Sequence, residues 1–205
     1  MILDTRDAWR EIAGRLDRSG GDFDSVFGTD TGADELHVER LPPDGTRYQP
    51  TRVGAVLEAL RVLELDLPRW TLLDLGSGKG RIPLLGAAIG FRRSIGVEVR
   101  HDLHEVALHN LASCRRRGLL SGQCSFIRAN VADVAIPTDA TLLFAFNPFG
   151  ARTLAGVLGG LCDARDAGHE SRLLYVNPIH ASTVDAMPAA ARIGEGEGWL
   201  AWRFR

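Results

Sequence analysis

Cysteine is scarce in this chain: Cys114, Cys124 and Cys162 are the three among 205 residues. Their odd number excludes a closed disulfide framework, and their spacing is not that of zinc ligands. An excess of charge of one sign is also missing. Twenty-four basic side chains stand against 26 acidic ones, a formal net charge of −2. No global positive field is there to hold a nucleic acid or an anionic membrane, so neither is an expected partner. No apolar run approaches the roughly 18 residues of a membrane span. The opening residues carry Asp4, Arg6 and Asp7 without an apolar stretch, unlike a signal peptide. A reducing, cytoplasmic location is therefore expected. No metal-ligating cluster stands out, so no metal is expected. The absence of a Ser–His–Asp constellation makes a hydrolase a poor fit.

What is present is an ordinary globular composition, 45% hydrophobic and 24% charged, which excludes a disordered chain and suffices for a full core. Residues 1–50 and 51–205 read differently. The first part has one amphipathic stretch, with Trp9, Ile12, Ala13 and Leu16 at helical spacing, followed by turn-rich segments at 19–22, 28–32 and 42–45. It is expected to form a short helical and irregular lid. From Thr51, which suits a helix N-cap, the pattern becomes regular. Continuous apolar runs at 71–75, 94–97, 125–128, 141–146 and 173–176 alternate with helical stretches at 79–90, 102–118, 151–167 and 181–190. Such alternation predicts a doubly wound α/β fold with a mostly parallel sheet. A last strand is expected at 199–204, beside Arg192-Ile193.

The informative segment is Leu72-Leu73-Asp74-Leu75-Gly76-Ser77-Gly78-Lys79-Gly80-Arg81, a buried strand running into three glycines and then a helix. In an open α/β sheet the turn after the first strand is a usual ligand site. A phosphate-cradling G-x-x-x-x-G-K-[ST] loop would need its first glycine at Leu73 and its hydroxyl at Gly80, and both fail. A dinucleotide fingerprint needs its third glycine at Arg81, one position beyond Gly80. Asp74 at the strand tip would also repel a pyrophosphate, whereas it suits a ligand bearing an ammonium group.

The remaining ligand is an aminoacyl nucleoside without phosphate. Asp74-Leu75-Gly76-Ser77-Gly78-Lys79-Gly80 resembles motif I of the seven-stranded, class I S-adenosylmethionine (SAM)-dependent methyltransferases. The resemblance covers 51–205 and implies a SAM-binding methyltransferase domain with S-adenosylhomocysteine as product. It implies cofactor contacts from Asp74, Gly76, Ser77, Gly78 and Gly80. Glu98, 24 residues after Asp74, would accept the ribose hydroxyls, although it also reads as a helix-capping acid. Asn130 stands where the family usually has an acid for the adenine amine; its amide oxygen would serve instead, with the Val131 N–H beside it and Asp133 as a fallback.

Asn147-Pro148-Phe149-Gly150 at the fourth strand tip resembles the Asn/Asp-Pro-Pro-Tyr/Phe clamp of amino-group methyltransferases, minus the second proline. The resemblance implies Asn147, Pro148 and Phe149 as catalytic residues and nitrogen as the acceptor atom; a plain Asn-Pro turn is the alternative. Tyr48, Gln49 and Thr51 correspond to a stretch that folds over the methionine end of SAM in similar proteins; an N-cap with a packed tyrosine is the other reading. His180, after a second Asn-Pro step, reads as a loop histidine or a base. Arg115-Arg116-Arg117 reads as a solvated helix end. Acceptors expected from this pattern are small molecules or a peptide or protein amine. A non-catalytic SAM-binding protein of the same fold is the alternative function.

Overall fold

The computed structural model describes residues 5–19, 21–32, 47–166 and 169–205. Five parallel strands carry the centre: β1 (Thr71–Leu75), β2 (Arg93–Glu98), β3 (Gln123–Arg128), β4 (Thr141–Phe146) and β5 (Ser171–Val176). An antiparallel pair, β6 (Ala190–Gly196) and β7 (Trp199–Phe204), completes a seven-stranded sheet in the order β3-β2-β1-β4-β5-β7-β6. The expected doubly wound, mostly parallel sheet is what the chain forms. All five residues of β1 are buried, which is why this strand reads as a continuous apolar run broken only by Asp74.

The helices in chain order are α1 (Thr5–Arg18), α2 (Phe23–Phe27), α3 (Val53–Leu63), α4 (Arg81–Ile89), α5 (His101–Arg116), α6 (Ala151–Asp166) and α7 (Ala181–Asp185). The chain winds from β1 through β2 to β3 on one side, then returns to β4 on the other side of β1. The strand order therefore reverses between β1 and β4, and their carboxyl ends open a cleft there. Two apolar clusters pack on the two faces of the sheet, one around Leu72, Leu85 and Phe144, the other around Leu73, Leu143 and Leu158.

Two local readings are corrected. Thr51 does not cap α3; Arg52 occupies the N-cap position without a side-chain cap bond, while Thr51 is buried. The helix expected over 181–190 stops at Asp185, since Pro188 cannot continue it and β6 begins at Ala190.

Of the first 50 residues, 1–4, 20 and 33–46 lie outside the described residues, and with them the turn-rich stretch at 42–45. The rest carries α1 and α2, whose Ile12, Leu16, Phe23 and Phe27 are buried in the cluster that also holds Leu84 and Leu85 of α4. Phe23 and Phe27 stack with ring centroids 4.1 Å apart. Among the described residues no helix is long and apolar enough to cross a membrane.

Phe27 has no solvent exposure, so Phe27→Ala is expected to cost about 3–5 kcal/mol of global stability. Urea unfolding followed by circular dichroism checks this. An unmoved main transition would show that 5–32 unfolds apart from the sheet.

Candidate functional site

The cleft at the reversal point holds a cavity of about 270 Å³. Its lining comes from the tips of β1, β2 and β4, the loop after β3, and the segment entering α3. Asp74, Gly76 and Ser77 line it from β1; Glu98, Val99 and Arg100 from β2; Asn130 and Val131 follow β3. Phe144, Phe146, Pro148 and Phe149 wall it from β4, and residues 47–51 come over from the start of α3.

The loop after β1 is held in a backbone form that only glycine adopts readily. Gly76 has φ +80° and Gly78 φ +52°. Space forbids a side chain as well. A Cβ on Gly76 would stand 2.6 Å from Pro148 Cβ, and one on Gly78 would stand 2.2 Å from the Tyr48 ring. Gly80 closes the loop as the N-cap of α4, with the Phe126 ring beneath it.

Glu98 is the brace of this loop. One carboxylate oxygen accepts the Gly78 N–H at 2.9 Å and the other accepts the Arg100 N–H at 2.9 Å. Each oxygen keeps a lone pair for a further donor. Burial pushes the Glu98 carboxyl above its ordinary range, while the Arg100 and Gly78 N–H groups pull it back. Asp74 is buried too, at 3% exposure, and among the described residues no hydrogen bond reaches its carboxylate. Burial first, then the charge of Glu98, hold Asp74 well above the usual carboxylate range. The Ser77 hydroxyl is a second buried polar group without a partner there. The deep wall of the cavity thus carries unspent acceptor capacity suited to a cationic group and to hydroxyls.

At the tip of β4 the backbone turns through Asn147 at φ +41°, and at the tip of β5 through Asn177 at φ +51°. Tyr175 ties the two tips. Its hydroxyl donates to Asn147 Oδ1 at 3.1 Å and accepts the backbone N–H of His180.

No protein-family model matches the chain. A curated relative, the ribosomal protein L11 methyltransferase of Sorangium cellulosum, is 27% identical over 177 residues, 78% of this chain and 56% of the relative. The chain thus spans just over half of that relative's length. Among solved structures, an RNA methyltransferase from Salinibacter ruber in complex with S-adenosylhomocysteine aligns at TM-score 0.54 and 20% identity, over 76% of this chain and 92% of that one. The magnesium protoporphyrin IX methyltransferase of Synechocystis with bound SAM aligns at TM-score 0.50 and 14% identity, over 99% of this chain and 98% of that one. The chain has the class I SAM-dependent methyltransferase fold.

In this methyltransferase fold the sequence-predicted residues do not all meet. Tyr48, Gln49, Thr51, Asp74, Gly76, Ser77, Glu98, Asn130, Val131, Pro148 and Phe149 line one cavity. Gly78 and Gly80 stand behind it, shaping the loop, and Asn147 is turned toward Tyr175. The Asn130 amide oxygen caps the short 3₁₀ turn at Val131–Asp133 by accepting the Ala132 N–H at 3.0 Å. His180 does not line the cavity; its backbone supports Tyr175. Sequence reasoning missed Arg81, Ile82, Arg100, Leu103, Phe144 and Phe146. The two phenylalanines had a readable signal, since positions two apart on β4 share a face; the arginines had none. No group of three His, Cys, Asp or Glu side chains is placed to hold a metal ion among the described residues.

The raised Asp74 carboxyl has a thermodynamic consequence. A group that holds its proton more tightly when folded stabilises fully below its unfolded value, near 3.8, and that stabilisation is lost as pH rises through the raised folded value. Ligand-free Asp74→Asn is therefore expected to melt about 2–4 °C above the wild type near neutral pH. The gap should close toward acid pH, as thermal melts across a pH series would show.

Proposed function

We propose that this chain is a SAM-dependent methyltransferase, with 51–205 as the cofactor-binding domain and 1–50 as an accessory segment. The observation that carries the reading is the buried Asp74 carboxylate beside the glycine loop, without a hydrogen-bond partner among the described residues. An acid so placed disfavours a phosphorylated cofactor and favours the ammonium of an aminoacyl nucleoside. The donor set fits the rest of that molecule: Glu98 retains acceptor capacity for two ribose hydroxyls, and Asn130 and Val131, lining the same cavity, would serve the adenine.

When bound, SAM supplies a methyl group already activated on a sulfonium. The protein's task is then to hold an acceptor in line with it, so proximity and the exclusion of water carry much of the rate enhancement. Pro148 and Phe149 wall that region, and Asn147 contributes its amide at the same strand tip. The acceptor we favour is an amine nitrogen of a peptide, protein or small molecule. The curated relative's name, ribosomal protein L11 methyltransferase, supports a protein acceptor. The free cysteines Cys114, Cys124 and Cys162 are consistent with work in a reducing cytoplasm.

One observation favours the second reading, a SAM-binding protein without turnover. Asn147 Oδ1 already accepts the Tyr175 hydroxyl, so that oxygen is engaged within the protein instead of being held open for an acceptor amine. Calorimetric titration with SAM and S-adenosylhomocysteine, followed by methyl-transfer assays on protein, RNA and small-molecule acceptors, tests both readings. Asp74→Ala and Glu98→Ala are each expected to weaken SAM binding about tenfold or more. Asn147→Ala should lower turnover about 10²-fold while changing SAM affinity little. Unchanged turnover in Asn147→Ala would remove the clamp from the mechanism, and tight binding with no turnover on any acceptor would favour the second reading.

A further inference from the structure

Thr31 joins three parts of the molecule whose connection the methyl-transfer reading leaves unexplained. Its carbonyl accepts the Tyr48 hydroxyl at 2.7 Å and Arg81 Nη2 at 3.1 Å, and its hydroxyl oxygen accepts Arg81 Nε at 2.7 Å. The guanidinium thus grips one residue through two of its nitrogens. Its third nitrogen donates to the Thr51 carbonyl at 3.2 Å, and Asp24 Oδ2 lies 3.5 Å from Nη2. Asp24 completes the ring by accepting the Thr31 N–H at 2.8 Å and the Thr31 hydroxyl at 2.7 Å. Phe23 stacks behind, its ring centre 5.3 Å from the guanidinium carbon.

Arg81 is the first residue of α4, where a cation works against the helix dipole. Helix stability does not account for it there. What its fork does is fix the position of Thr31, and Thr31 in turn holds the Tyr48 phenol against Gly78, on the space a Cβ would need. Tyr48 and Arg81 line the cavity, while Thr31 and Asp24 are not among its lining residues.

We propose that Arg81 is a positioning residue of the cofactor site, acting through Thr31 to set the Tyr48 wall over Gly78, so that the 23–31 segment belongs functionally to that site. The proposal rests on reading the cavity as a SAM site. Arg81 itself borders the cavity, but its effect on affinity runs by way of Thr31 and Tyr48. Lysine cannot replace it, because a single ammonium lacks the planar fork that spans the Thr31 hydroxyl and carbonyl.

The test is a double-mutant cycle on S-adenosylhomocysteine affinity, measured by calorimetry on the full chain. Arg81→Gln and Tyr48→Phe are each expected to weaken binding about five- to tenfold. The double variant should be no more than about twofold weaker than Arg81→Gln alone, because both substitutions break one chain of contacts. Arg81→Lys should be no better than Arg81→Gln. An affinity for Arg81→Gln within about twofold of the wild type would overturn the proposal. So would a double variant whose loss is the product of the single losses, since that marks a direct contact or an independent structural effect. Should Arg81→Gln fail to fold, Thr31→Val replaces it in the same cycle, read by the same criteria. Wild-type protein that binds neither SAM nor its demethylated product removes the cofactor reading itself; wild-type binding with additive losses removes this proposal alone.

Discussion

Burying a carboxyl group costs free energy unless something compensates the lost hydration. In this chain two such groups share the floor of one cleft, and they are compensated differently. Glu98 is satisfied from within, by N–H groups of the glycine loop and of Arg100. Among the described residues Asp74 is not, and it lies near the carboxyl end of a strand buried along its whole length. The surrounding structure holds that uncompensated group in place: β1 is clamped between β2 and β4, and the loop that follows it is braced by Glu98. An acid kept under such conditions has acceptor capacity that a ligand carrying a positive charge or several donors would use.

The loop beside that acid is shaped by residues remote from it in sequence. Pro148 occupies the space over Gly76, Tyr48 the space over Gly78 and Phe126 the space under Gly80. Each comes from a different element, so the loop conformation is a product of the assembled fold. The left-handed turns and the packing restrict the loop together, and its N–H groups at Gly76, Ser77, Gly78 and Gly80 are already engaged by Val97, Glu98 and Ser77.

The described N-terminal segment is joined to this arrangement by polar contacts as well as apolar ones. Asn110 of α5 exchanges hydrogen bonds with the backbone of Asp30, and it also donates to the Lys79 carbonyl at 3.0 Å. Lys79 is buried, with Nζ 3.3 Å from Asp30 Oδ1. Phe23 and Phe27 meanwhile share an apolar cluster with α4. Residues 23–31 are thereby held against α4 and α5 by both kinds of contact.

The amino-acid sequence alone determined the alternation of buried strands and helices, the place of the glycine loop, and the exclusion of a phosphate-cradling or dinucleotide loop. Those features are local: apolar periodicity, glycine spacing and one acid at a strand tip are written within a few residues of each other. Tertiary structure decided which candidates face the cavity and which face each other. Asn147 is turned to Tyr175, 28 positions away. Arg81 meets Thr31 across 50 positions of chain. The Asn147–Tyr175 and Arg81–Thr31 pairings depend on how distant parts of the chain pack together, and no local pattern encodes a contact between residues so far apart in sequence.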